Sequence, residues 1–294
     1  MLASFVIPKT YRAGVIAIGA SCLINSVGGL IVRTTESATE WQLIMMRATS
    51  LAAALMVIFA IQTKGKVLTG FWVAGRWALF GGLMVTTANI GIIHSFQHTT
   101  VANTLFVLSA TPLATAVLAR IFLGERVRRA TCIAMMAAVF GITLMVRDGI
   151  VTGTLFGNAM ALMTMLAFSS FMVILRHGRT VNMLPAVIFG AALSAVISIV
   201  VSEFDFVVST KDLTLCFIWG GVISAVVHVL FTFGSRLVLG VEMALLTLLE
   251  FVAGPVWVWL FADEIPNQMT IIGGLFVLGA VAGRAIALAK VPKD

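Results

Sequence analysis

Met183-Leu184-Pro185-Ala186-Val187-Ile188-Phe189-Gly190-Ala191-Ala192-Leu193-Ser194-Ala195-Val196-Ile197-Ser198-Ile199-Val200-Val201 runs without a charged residue. As an α-helix it is about 28 Å long, close to the ~30 Å hydrocarbon thickness of a bilayer. Working outward from it, nine more apolar runs of helical length can be read: 13–32, 41–61, 77–96, 101–121, 130–146, 155–175, 213–234, 242–261 and 269–289. Charges and turn residues collect in the breaks between them. The whole chain has 294 residues, 60% hydrophobic and 11% charged, with a mean hydropathy of +1.09. A soluble domain has about 45–50% apolar and about 25% charged residues. The composition excludes an ordinary cytosolic enzyme, a disordered chain and a secreted disulfide scaffold. Ten spans of about 20 residues use about 200, which leaves tails and short loops but no separate soluble domain. The expected fold is an all-α polytopic membrane protein.

The positive charge has a side. With the N-terminus inside, all but Arg33, Arg47, Arg147 and Lys211 of the 19 Lys and Arg residues fall on the cytoplasmic side. Glu36, Glu40, Asp148, Glu203, Asp205, Asp212, Asp263 and Glu264 fall on the other. The partition predicts an even number of spans with both termini cytoplasmic, in the inner (plasma) membrane. The net charge of +7 is therefore an orientation signal, and no nucleic-acid partner is expected. Pro8, Lys9, Tyr11 and Arg12 lead directly into the first run without a cleavage pattern, so no signal peptide is expected. Cys22, Cys132 and Cys216 lie within apolar runs at no metal-ligand spacing and are read as small buried hydrophobes. No metal and no cofactor are predicted.

The chain also repeats. Ser26, Ile31 and Arg33 at the end of the first run match Ser169, Ile174 and Arg176 at the end of the sixth, at a single offset. Ile121-Phe122-Leu123-Gly124-Glu125 ends the fourth run and Leu260-Phe261-Ala262-Asp263-Glu264 the ninth. Residues 13–146 and 155–289 thus form two five-helix units. Five is odd, so the second unit enters the membrane upside down. Inverted repeats around a midplane site are a common plan of secondary transporters.

Several of these segments resemble a family. They are Ser26-Val27-Gly28-Gly29-Leu30-Ile31-Val32-Arg33, the Trp41…Arg47 start of the second run, the Gly-Glu-type ends of runs four and nine, and Leu249-Glu250-Phe251-Val252-Ala253-Gly254-Pro255-Val256-Trp257-Val258-Trp259-Leu260. They look like EamA-type members of the drug/metabolite transporter superfamily, over about residues 13–289. The chain departs from the pattern at Ala262-Asp263-Glu264, where Gly-Glu is usual, and at Phe251, where Pro often follows the Glu. The resemblance implies a central cavity lined by runs 1, 3, 4, 6, 8 and 9. It also implies amino acids or related compounds as substrates, and it admits protons as the coupling ion.

Polar groups inside a bilayer face the bundle interior or a wet cavity. Glu250 leads the candidates, either as a contact for a substrate amine or coupling proton, or as a protonated carboxyl bonded to a neighbouring helix. Ser224, His228, Thr232 and Ser235 form a polar stripe on the eighth run. At the repeat offset of runs four and nine, His228 corresponds to Asn89. The alternative for each is an ordinary interhelical hydrogen bond. Ser21, Asn25 and Gly28 share a face, as do Thr104, Leu108, Thr111 and Thr115, and also Asn158, Met165 and Ser169. The candidate substrate-binding set is Asn25, Asn89, Thr111, Ser169, His228, Thr232, Glu250 and Trp257; Trp257 shares the Glu250 face but reads first as a packing or interface anchor, like Trp259. Arg47 is expected near the outer face, paired with Glu36 or Glu40 or snorkelling to the interface; the alternative is a role in an outer gate. His94 is expected at the interface, and Arg126, Arg128 and Arg129 at lipid headgroups. Gly279 and Gly283 permit close helix contact within the chain or in a dimer, so the oligomeric state stays open.

No zinc-protease, nucleophile-elbow or phosphate-loop motif occurs. The reading that results is a secondary transporter, an exporter, moving small polar metabolites by alternating access. The other readings are a passive facilitator of the same fold and a membrane-embedded enzyme built on Glu250 and His228. None of the motifs supports an enzyme.

Overall fold

A computed structural model describes residues 11–99, 104, 107–125, 127, 129–146, 154–262 and 268–289. Among these there is no strand, and every apolar run contains helix. α1 (Tyr11–Asn25) and α2 (Gly28–Thr34) share the first run. α3 (Glu40–Gln62), α4 (Val67–His98), α5 (Thr111–Phe122) and α6 (Arg129–Val146) follow. α7 (Leu155–His177) and α8 (Leu184–Val201) come next. α9 (Thr210–Phe217), a π-helical segment (Ile218–Ser224) and α10 (Ala225–Ser235) make one continuous rod, and α11 (Gly240–Ala262) and α12 (Gln268–Ala289) complete the chain. Five of these rods are long and apolar enough to cross a membrane: α3, α4, α7, α8 and Thr210–Ser235. Arg126, Arg128, Arg147, Asp148, Asp263, Glu264, Lys290 and Lys293 lie outside the described residues.

Helix ends follow local chemistry. Thr39 caps α3 with its side chain accepting from the Gln42 N–H, while Gln42 accepts from the Thr39 N–H, a reciprocal capping box. Thr154 and Ser209 cap α7 and α9 in the simpler way. α4 starts ten residues ahead of its predicted run because Gly75, at φ 60° and ψ −155°, kinks it. Only glycine adopts that backbone without strain, so the helical stretch before the kink is a separate approach to the rod.

The two halves of the chain pack chiefly on each other. α4 lies on α7 and α8, α3 on α8 and the π segment, and α1 on α10 and α11. α5 lies on α7 and α11, and α6 on α12. Small residues permit the closest crossings. A methyl group on Gly190 would collide with the Gly82 carbonyl, and Thr86 Oγ1 sits 3.0 Å from both the Gly82 and Gly190 carbonyls. Gly279 and Gly283 have open space where a side chain would stand, so this pair makes no close contact among the described residues.

The distribution of polarity is inverted relative to a water-soluble protein. Trp72, Leu155 and Val207 are largely exposed, whereas Ser194, Ser224, Thr104 and Thr115 are fully buried. An apolar exterior of this extent fits hydrocarbon rather than water. Cys22 and Cys216 are buried as expected, but Cys132 is exposed.

Ties between loops sort into two groups. Glu36, Ser37 and Ala38 donate backbone N–H groups to the Asp212 carboxylate. Gln42 donates to Asp205 (3.1 Å), and Thr154 donates to the His98 carbonyl. All of these join segments predicted on the outer side. Arg176 pairs with Glu125 at 3.0 Å, Asn182 donates to Gln62, and Tyr11 donates to Glu242. These join segments predicted on the inner side.

Candidate functional site: a polar cavity within the bundle

Three predicted rods are irregular, and each irregularity lies within a few residues of a side chain that lines one cavity. The first run turns at Ser26–Val27, so α1 ends at Asn25. The fourth run turns at Ser109–Ala110, and α5 starts again at Thr111 with Pro112 in its first turn. Proline has no N–H to donate there and its ring blocks the preceding turn. Thr111 Oγ1 takes up the Leu108 carbonyl at 2.5 Å. The π segment interrupts the eighth run just ahead of His228. Non-helical backbone at membrane depth is tolerated where it lines a cavity or is buried in protein.

The cavity has a volume of about 180 Å³. Asn25, Asn89, Thr111, His228 and Glu250 of the predicted set line it, together with Ser21 and Thr164. Phe168, Phe171 and Phe231 supply an apolar wall. Asn25 Nδ2 donates to Glu250 Oε1 at 2.8 Å, which ties the broken end of α1 to α11. His228 Nδ1 lies 2.7 Å from the Ser224 carbonyl. A carbonyl can only accept, so Nδ1 carries the proton and a neutral ring keeps Nε2 as an acceptor.

Arg47 corrects the sequence reading. It is not paired with Glu36 or Glu40 and does not snorkel. It lines the cavity, donates from Nη1 to Asn89 Oδ1 at 3.1 Å, and stacks over Trp219 with its guanidinium carbon 4.3 Å from the ring centroid. The π segment makes this contact possible. Gly220 packs against the Arg47 carbonyl and Ser50 with no space for a side chain, which brings Trp219 up to the guanidinium. The missed signal is a depth: Arg47 is seven residues into α3, about 10 Å below Glu40.

Three predicted residues stand behind the lining. Ser169 is fully buried and donates to the Thr111 carbonyl at 3.3 Å, while Thr164 and Phe168 of the same helix reach the cavity instead. Thr232 is buried beside Ser235 in the polar stripe. Trp257 donates from Nε1 to Ser26 Oγ at 2.7 Å and stacks on Phe261, bracing the turn between α1 and α2. His94 is buried within the protein, packed between Glu40 and Trp41.

The arrangement offers one cation, one anion, one neutral imidazole and two amides, within aromatic walls. An isolated central acid costs about 3 kcal/mol on insertion scales; here the Asn25 amide bonds it, and Arg47 lines the same cavity. The site can hold a small solute that carries both signs of charge.

The model of the EamA-like transporter family matches residues 12–147. One crystal structure superposes with a TM-score of 0.79, covering 95% of this chain and 99% of that one at 16% sequence identity. It shows a shared fold over nearly the full length. No curated protein matches the sequence.

Proposed function

Because the model of the EamA-like transporter family, a branch of the drug/metabolite transporters, matches residues 12–147, we propose that this chain is a ten-span secondary transporter. In this reading residues 13–146 and 155–289 are inverted repeats, both termini are cytoplasmic and the membrane is the inner one. The packing supports the repeat. Exchanging the two halves carries α4 on α7 into α10 on α1, α3 on the π segment into α8 on α4, and α5 on α7 into α11 on α1. Each of these pairs is in contact. The loop ties support the topology, since each joins segments assigned to one side.

The substrate class is small zwitterions, amino acids first, carried outward. One observation carries this: a guanidinium and a carboxylate, Arg47 and Glu250, line the same cavity. Arg47 suits a carboxylate by its planar donor fork, and Glu250 suits an ammonium. The phenylalanines accept an apolar side chain. Rocking of the two repeats would open the cavity to either face in turn, and Glu250 is the group to exchange a coupling proton.

The test is counterflow of radiolabelled amino acids in proteoliposomes. Glu250→Ala and His228→Ala should each lower saturable counterflow at least about tenfold, with expression and monodispersity intact. Full counterflow in both variants overturns the site. Leakage without saturation would identify a passive channel.

A further inference from the structure

A second cluster of chemistry-bearing side chains lies apart from the cavity, where the start of α3 meets the end of α4. Glu40, in the first turn of α3, faces His94 and His98 on the last turns of α4, and their ligand atoms lie within 4.8 Å of one another. Glu40 Oε1 is 3.4 Å from His98 Nε2, close to the ligand-to-ligand edge of about 3.3 Å expected when donors sit about 2.0 Å from a tetrahedral ion. Glu40 Oε2 touches His94 Nδ1, so both imidazoles converge on the one carboxylate. A single carboxylate shared by two imidazoles whose ligand atoms all lie within 4.8 Å is the arrangement of a metal-ligand set.

We propose that Glu40, His94 and His98 bind one divalent transition-metal ion of the zinc class. Two histidines four residues apart project from one helix face, and a carboxylate on a second helix completes a two-nitrogen, one-oxygen set. Such a set selects zinc, cobalt or nickel over calcium and magnesium, which favour all-oxygen cages. The site is preorganised. The Thr39–Gln42 capping box fixes the turn that carries Glu40. The His94 ring is held edge-on by Trp41, and Phe156 packs edge-on against both histidines. The carbonyl dipoles at the end of α4 favour a cation. His98 is 44% exposed, so an ion can enter and a water can fill the fourth position. Thr154 hydrogen-bonds the His98 backbone, and so the ion would clasp α3, α4 and the start of α7. The proposal stands independently of the transport reading.

The experiment is isothermal titration of zinc chloride into the full-length protein in detergent, stripped beforehand with a chelator. One ion should bind per chain. His98→Ala, which alters the most exposed ligand, should weaken binding at least about tenfold, the loss that even supporting partners of a metal site produce. Glu40→Gln should do the same. His177→Ala, on the exposed end of α7, should leave it unchanged. Absence of saturable binding overturns the proposal, as does binding that survives both ligand variants or that falls equally with His177→Ala. Because each variant is also checked for monodisperse elution, loss of the fold is not mistaken for loss of the site.

Discussion

Replacing Glu250 by Gln keeps an oxygen for the Asn25 amide and removes only the charge. The variant should fold and lose at least about tenfold of its zwitterion counterflow, a loss that direct flux measurement with matched protein density would detect. Arg47→Lys keeps the charge but loses the planar fork, the stack on Trp219 and the fixed bond to Asn89. Its apparent affinity for carboxylate-bearing substrates should fall, with decarboxylated amines affected less; competition assays read the difference. Asp212 provides a test of the outer loop. Its carboxylate accepts the backbone N–H groups of Glu36, Ser37 and Ala38 and the Ser37 hydroxyl. Asp212→Ala leaves these donors unpaired and should lower the melting temperature by several degrees; unchanged melting would contradict the loop-anchor role.

At the scale of elements, irregularity and function coincide. Gly220 in the π segment faces the Arg47 carbonyl and Ser50, so Gly220→Ala inserts a methyl group into a filled gap. Overpacking costs about 1–3 kcal/mol. The variant should melt several degrees lower and show weaker substrate affinity, because Trp219 must shift with it. Unchanged melting and affinity would disconnect the π segment from the site. The sequence announces some of these features better than others. The helices themselves and the cavity positions Asn25, Asn89, Thr111, His228 and Glu250 are legible from apolar runs and buried polar residues. The turn ahead of Pro112 is not, because residues 101–121 read as one apolar run. The π segment is hidden, because one inserted residue leaves the apolar pattern intact while rotating every later side chain. That rotation, and the axial depth of Arg47, are set by packing between helices. Distance along the chain from the nearest loop does not reveal them, nor that Trp41 and Phe156 pack against His94.

For the whole molecule, composition alone dictates the inverted distribution of apolar and polar surface, and the charge partition agrees with which loops touch. The pairing of helices across the halves is a three-dimensional fact that three matched residues at one offset only hint at. If the halves are inverted repeats around one alternately opened cavity, a single position on its wall must meet water from both faces. Asn89 is that position. The measurement is labelling of Asn89→Cys, with Cys22, Cys132 and Cys216 replaced by Ala, using a membrane-impermeant thiol reagent applied to sealed right-side-out and inside-out vesicles. Alternating access predicts modification from either face, slowed by a transported amino acid. Modification from neither face, or from one face only, would contradict it.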